Sequence, residues 1–348
     1  MKPYFGYLNI ILFFLLVSCQ GNTGHTNMYT SFSTEIRVSG KAMQKDSVFF
    51  RYPFRIRHKD NRLIVLDLHH PDYFYHLYSF PGFEYLYSFG KRGQGPGEIL
   101  SAENFRFAND SIWMLDANKH LLAKGSVQDR VNLNHPMEVP LDKDIIRALD
   151  FALYNDSCFI IPDYSGQHRF HIVHKDGSIL SSHGEIPSQE HSERNMALAQ
   201  AWRSFIDYNP KNHILAMATQ LGEVLEIYNF EDSTHIVKVG PHGEPEFQTA
   251  QGMAIPSGIM GFSDVQVTDH YIYCVFHGRS FKEIVHQKPP VIDGGKYIYV
   301  FSLKGEPVCQ YTLDHYIYGI DVNEDSKEIF AVDVNSDQPI IQYNITHL

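Results

Sequence analysis

Short apolar runs separated by turn residues recur from one end of the chain to the other. YIYVFSL and LEIYNF alternate apolar and polar positions with a period of two, the mark of a strand with one buried face. RLIVLDL, SIWMLDA and CFIIPDY read as apolar strands that end near an aspartate. Apolar positions at helical spacing are nearly absent. Asn109-Asp110, Asn155-Asp156 and Asp176-Gly177 are hairpin-turn pairs, and Pro81-Gly82 and Lys304-Gly305 close further hairpins.

Aligned on itself, the chain repeats one unit: a short strand, an Asn/Asp turn, an apolar strand ending near Asp, another strand, a Gly turn and a last strand. The copies begin at FRIRHKDNRLIVLDL, FRFANDSIWMLDA, DFALYNDSCFIIPDY, SFIDYNPKNHILAMAT, DVQVTDHYIYCVFHG and GIDVNEDSKEIFAVDV. Phe54 and Phe105 lie 51 residues apart, and Phe105 and Phe151 lie 46 apart. Six four-stranded units of this length predict an all-β, six-bladed β-propeller. The sixth copy stops a strand early, and the N-terminal FSTEIRV has no copy of its own. The expectation is therefore that this N-terminal strand closes the last blade and removes its open edge.

SFGKRGQGPGEI falls between the last strand of blade one and the first of blade two, where the chain crosses from rim to axis. Its glycines do not make a nucleotide site. A phosphate loop needs Gly-Lys-Ser/Thr opening a helix, and here Gly97 is followed by Glu98 and Ile99. The dinucleotide pattern G-x-G-x-x-G is likewise not met by Gly93, Gly95 and Gly97 alternating around Pro96. The loop is therefore read as architectural, with Gly95 and Gly97 required by the backbone and Lys91 and Arg92 tolerant of alanine. Gly90, Gly93, Gly95, Pro96, Gly97, Glu98 and Ile99 resemble the G-x-x-G-x-G-P-G-E-F/I stretch of the TolB-like six-bladed propeller lipoproteins of bacteria. More loosely they resemble the junctions of NHL-type repeats. A worn echo, VGPHGEPEF, follows blade four. The resemblance implies the same propeller fold from about Thr34 onward. Some relatives of that architecture are lactonases or lyases with a metal in the central channel, so fold alone leaves an enzyme open.

The first residues sharpen the picture. MKPYFGYLNIILFFLLVSC has one charge, Lys2, then an apolar segment shorter than the roughly 20 residues of a membrane span. Leu16-Val17-Ser18-Cys19 resembles a bacterial lipobox, so residues 1–18 are expected to be a signal peptide and Cys19 the lipidated first residue of the mature protein. Residues 19–33 then form a tether and 34–348 the propeller, in the bacterial cell envelope and most naturally at the outer membrane. The formal net charge of −11 argues against a nucleic-acid partner. Cys158, Cys274 and Cys309 sit in apolar strand text and read as buried free thiols rather than a disulfide framework.

No catalytic constellation stands out. There is no G-x-S-x-G elbow, and the spacing of three between His168, His171 and His174 sends neighbours to opposite faces of a strand. His69-His70 lies in a turn where adjacent side chains diverge. No cofactor and no metal are expected. The residues that open the copies should line the channel mouth: Asn104, Arg106, Asp150, Arg203, Asp264 and Tyr318. Their mixed charge suits a polar pore whose members pair with one another, or a ligand site. Ser188–Ser204 breaks the repeat and is rich in helix formers, with Ser188 as a cap and Met196, Leu198, Ala199 and Trp202 as an apolar face. It is expected to pack on the rim rather than as a lid. Asp46-Ser47-Val48 and Asp110-Ser111-Ile112 resemble a periplasmic O-glycosylation motif. The function expected is a binding or scaffold module for a protein, peptide or glycan, with a channel-centred metal-dependent hydrolase or lyase as the alternative.

Overall fold

The structure is a computed structural model that describes residues 25–43, 48–127, 136–191, 195–288 and 292–345. Six antiparallel sheets radiate from one axis. Their own strands run from Pro53–Lys59 to Tyr85–Lys91 (blade one), Ala102–Ala108 to Met137–Pro140 (two), Ala152–Asn155 to Ile179–His183 (three), Ser204–Asn209 to Thr234–Val239 (four), Phe262–Val267 to Pro307–Ile317 (five) and Ile320–Asn323 to Ile340–Asn344 (six). The first strand of each blade lies at the axis.

The apolar second strands have the burial their text requires. Arg62–Asp67, Ser111–Asp116 and Ile214–Thr219 are buried almost residue by residue, because each blade is covered by a neighbour on both sides. The aspartate that ends the first two is a backbone clamp. The carboxylate of Asp67 accepts N–H bonds from Arg51, Tyr52, His69 and His70 at 2.7–3.1 Å. Asp116 repeats this with Leu100, Ser101, Asn118 and Lys119 at 2.7–3.2 Å. Both aspartates are buried, and each ties the loop entering its blade to the turn leaving the second strand. The turn pairs work as read: Asp60 and Asn109 hold φ of 51° at the first hairpins of blades one and two.

The N-terminal segment closes the ring, with a different division of labour from the one expected of FSTEIRV. Thr34–Val38 runs parallel to Pro307–Ile317 as a fifth strand of blade five, not in blade six. Lys41–Ala42 is the strand that completes blade six, antiparallel to Ile340–Asn344. His25–Met28 adds a parallel fifth strand to blade four, so part of the stretch expected to be tether is a strand of the propeller. One segment thus visits blades four, five and six in turn.

Radiating blades splay as they leave the axis, and each interface needs filling at its outer end. Between blades four and five the filling is Tyr29 and Phe32, whose rings meet Phe301 and Tyr299 at 4.6–5.4 Å. Ile36 and Val38 serve between five and six, and Met43 and Phe50 between six and one. Tyr87 and Val127 close blades one and two, and Leu141 and Ile145 of the connector close two and three. At the interface of blades three and four, among the described residues only Tyr154 and Phe230 flank the buried cluster, and the outer gap is open.

The expected helix in Ser188–Ser204 is short. Helix α1 (Met196–Ala201) is capped by Asn195, whose Oδ1 accepts Leu198 N–H at 2.9 Å. Ser188 is not its cap: its hydroxyl donates to Glu244 at 2.6 Å. Leu198, Ala199 and Trp202 are buried against Val224, Val237 and Val239 of blade four, while Met196 is exposed. Two further departures from the repeat lie near it, the hairpin Phe247–Ala250/Met253–Pro256 and helix α2 (Phe281–His286). None of the described residues of the insert lines the channel cavity.

Candidate functional site

At the axis, alternate residues of an inner strand point inward, so Arg55 and Arg57 of blade one, and Asn104 and Arg106 of blade two, reach the centre together. Arg57 donates from both terminal nitrogens to Asp264, at 3.0 and 3.1 Å, and Arg55 approaches the same carboxylate at 3.6 Å. Asp264 also accepts the N–H of Ile320 at 2.9 Å, from the next blade. A second cluster has the same form: Asp150 accepts from Arg106 at 3.2 Å, from Asn104 at 2.6 Å and from the N–H of Ile206 at 2.9 Å. Burial alone would raise the Asp264 pKa, but Arg57 and Arg55 hold it below the ordinary carboxylate range. Asn104, Arg106, Asp150 and Asp264 therefore meet, as two ion clusters joining blades across the axis. Arg203 stands apart with its guanidinium 5.9 Å from the Tyr164 ring centroid. Arg55, Arg57 and Asp207 also belong to the axis, Asp207 lying 3.8 Å from Arg106.

A cavity of about 210 Å³ lies at the channel mouth. Phe54, Glu103, Leu149, Phe205, Ser263 and Tyr318 bring it one residue per blade or blade entrance. The Arg55 guanidinium lies 3.9 Å from the Phe54 ring and 4.5 Å from the Phe205 ring, so two lining rings also cover a fully buried cation. Burial raises the Glu103 pKa above the usual carboxylate value. His277, edge-on to Tyr318 at 5.4 Å, is buried with neither ring nitrogen hydrogen-bonded, and burial holds its pKa down at about 4.

That histidine makes stability pH-dependent with a defined sign. In the unfolded chain it titrates near 6.5, so between about pH 6.5 and 4 the unfolded state binds a proton that the folded state refuses. The stabilisation is complete above pH 6.5 and is lost as pH falls towards 4. His277→Phe is expected to reduce the pH slope of the unfolding free energy in that window by up to about 1.4 kcal/mol per pH unit. Urea denaturation at several pH values measures it, and an unchanged slope contradicts the assignment.

The Gly-rich loop supplies its own anions. The Glu98 carboxylate accepts Gly95 N–H at 2.9 Å and the Lys91 ammonium at 2.7 Å, and Glu138 accepts Gly97 N–H at 3.0 Å. Gly90 and Gly97 hold φ of 66° and 74°, a Cβ on Gly93 would displace the Glu98 carboxylate, and Ile99 is buried. Pro96 stands between Gly95 and Gly97 in the turn. Gly97→Val should therefore cost roughly 1–3 kcal/mol of stability. Gly95 lacks positive φ and meets only the mobile end of Glu98, so valine there is better tolerated than the sequence suggests. Arg92 is a correction: it donates to the carbonyls of Leu68 and His70 at 2.5 and 3.1 Å and lies 3.9 Å from the Phe74 ring. Arg92→Ala is expected to cost about 1–2 kcal/mol rather than nothing. Chemical denaturation of the Gly97 and Arg92 variants checks both values.

A cavity of about 810 Å³ opens in the gap between blades three and four. Tyr154 and Phe230 form one side of its lining. Phe170 lies between His183 and Phe230, with centroid distances of 5.5 and 5.9 Å. His235 stacks on Tyr228 at 3.9 Å and 7°. Behind this wall, Arg169 pairs with Glu226 at 2.7 Å, both fully buried, and Tyr228 donates to the same carboxylate at 3.0 Å. The rings are therefore backed by a buried, charged network. Sequence reasoning missed the cleft, since it arises from absent filling rather than from any motif.

His168 lies at the cleft rim, His171 bonds Ser182 and His174 meets Asp176, so the three do not converge. The His69 and His70 backbones serve the Asp67 clamp. Among the described residues no group of three or more His, Cys, Asp or Glu is placed to hold a metal ion. Cys158, Cys274 and Cys309 are buried free thiols. Ser111 opens its strand half-buried, ahead of fully buried Ile112. Cys19, Asp46 and Ser47 lie outside the described residues. No helix among the described residues is long and apolar enough to cross a membrane.

A family profile described as "TolB-like 6-blade propeller-like" matches residues 31–325. No curated protein matches the sequence. Among solved structures, a member of the DUF4221 family from Bacteroides vulgatus is similar at TM-score 0.60 and 9% identity, covering 88% of this chain and 98% of that one. A Bacteroides fragilis protein follows at TM-score 0.56 and 12% identity, covering 91% and 98%. A Bacteroides ovatus structure described as an auxiliary nutrient binding protein matches at TM-score 0.54 and 10% identity, over 87% of this chain and 72% of its own. At such identities the likeness is one of fold.

Proposed function

The chain belongs to the TolB-like six-bladed propeller family, and we propose that it works as a lipid-anchored, extracytoplasmic binding module whose ligand, a protein, peptide or glycan, sits in the cleft between blades three and four. The observation that carries this reading is a contrast within the ring. The channel carboxylates Asp150 and Asp264 are engaged by arginines and backbone amides, whereas the cleft is large, open and lined by rings and side-chain amides. A propeller described elsewhere as nutrient-binding is an analogy at the level of fold.

The anchor fits the same geometry. Cys19 lies six residues before His25, which pairs with Ile236 next to the cleft residue His235. Fully extended, that stretch reaches at most about 20 Å, so lipid on Cys19 would hold the blade-four side of the ring close to the bilayer. Cys19→Ala should move the protein from the membrane fraction to the soluble one; retention in the membrane with an uncut signal overturns the anchoring. The competing metal-dependent hydrolase or lyase requires Asp150 and Asp264 to give up their arginines. Crystals soaked in Mn²⁺ or Zn²⁺ decide between the two: the binding module predicts no anomalous peak on the axis, and a peak beside those two aspartates replaces it with the channel enzyme.

A further inference from the structure

We propose that the cleft between blades three and four binds a neutral oligosaccharide, a proposal that rests on the binding-module reading and gives its ligand a chemical class. A sugar ring presents an apolar C–H face and a rim of hydroxyls. It therefore needs an aromatic surface set beside groups that both donate and accept hydrogen bonds. The cleft has this composition. Half-buried Phe230, Tyr154 and His235 and exposed His183 offer ring faces. Gln167, Gln189, Asn229, Ser188 and Thr234 put amides and hydroxyls around them.

Charge narrows the class. Among the described residues, no lysine or arginine lines the cleft, and Glu185 is its one carboxylate. Burial, then the neighbouring His168 and His171, lowers the His183 pKa, so that ring is uncharged at neutral pH. An anionic ligand such as an acidic glycan or a phosphate meets, among the described residues, no lysine or arginine and one carboxylate. A peptide added as an extra strand is refused on the blade-four side, where His25–Met28 already pairs with the outer strand. The volume of about 810 Å³ is enough for several sugar rings and lies within the range of small-molecule sites.

The rings are also fixed in advance. Tyr228, locked by its bond to Glu226, backs His235, and Phe170 backs both His183 and Phe230. A platform ordered before binding loses little entropy when a sugar settles on it.

The test is titration of the full mature chain by calorimetry and saturation-transfer NMR. The probes are maltotetraose, cellotetraose, laminaritetraose, mannotetraose and xylotetraose, with trigalacturonate and the peptide Gly-Phe-Tyr-Gly as contrasts. At least one neutral tetrasaccharide should bind with Kd of about 1 mM or tighter. Phe230→Ala should weaken it at least about tenfold, equivalent to 1.4 kcal/mol. Thr234→Trp, which fills the rim from an exposed position and removes no core contact, should abolish binding with the melting temperature unchanged. Failure of every neutral probe at 10-fold higher concentration overturns the proposal, as does binding that neither variant weakens. If the peptide binds and Thr234→Trp blocks it while no sugar binds, the oligosaccharide is wrong and the binding module stands. An axial metal peak with no cleft binding removes both.

Discussion

Deleting residues 31–39 is expected to lower the melting temperature by more than about 10 °C, the largest effect of any change outside the core strands. The deletion removes Phe32, which is 9% exposed and packed on Tyr299 and Phe301, and large aromatic-to-alanine changes at such positions cost about 3–5 kcal/mol by themselves. It also removes the parallel strand Thr34–Val38, exposing the outer edge of blade five and the core residues that Ile36 and Val38 cover. The stretch left between Tyr29 and Lys41 is then too short to reach blade six, so the closing strand Lys41–Ala42 is lost as well. Phe32→Ala separates filling from closure: it should cost about 3–5 kcal/mol while the ring stays cooperative. A melting temperature unchanged by the deletion would mean that the N-terminal segment only decorates a ring closed by other contacts.

The blade plan was legible because it is written in strand text covered on both faces and in turn pairs, and those signals are local. The parts set by packing were not. Lys41–Ala42 is a two-residue strand, too short for any period, whereas Thr34–Val38 has a readable pattern and drew the closing role to itself. Half of the axis was missed for a similar reason. Aligning the first two copies on Phe54 and Phe105 set Arg55 on Arg106. Aligned instead on their hairpin turns, Asp60-Asn61 and Asn109-Asp110, the strands place Arg57 on Arg106 and Arg55 on Asn104, as the pairing registers do. The helix in the insert shrank to six residues because Ser188 and Gln189 are held by Glu244 rather than by a helix turn. The cleft had no signal at all, since its lining comes from separate strands and loops of two blades and its existence depends on what fills the other five interfaces.

The second large effect is at the axis. Asp264→Leu should destabilise the ring by about 3–5 kcal/mol, because it leaves Arg57 and Arg55 buried without their carboxylate and deprives the N–H of Ile320 of its acceptor. A carboxylate retained for chemistry behaves in the opposite way, since its replacement relieves repulsion and strain held at a site and leaves stability equal or higher. The sign of the change therefore separates a structural axis from a catalytic one.

The double-mutant cycle of Arg57→Met and Asp264→Leu, read by urea denaturation, tests the central claim that the axis is structural and the function lies elsewhere. The account predicts that each single change is strongly destabilising and that the pair together recovers at least half of the loss, as buried ion pairs replaced by apolar side chains do. An Asp264→Leu protein as stable as the parent, with no coupling to Arg57, would contradict it and return the site to the channel.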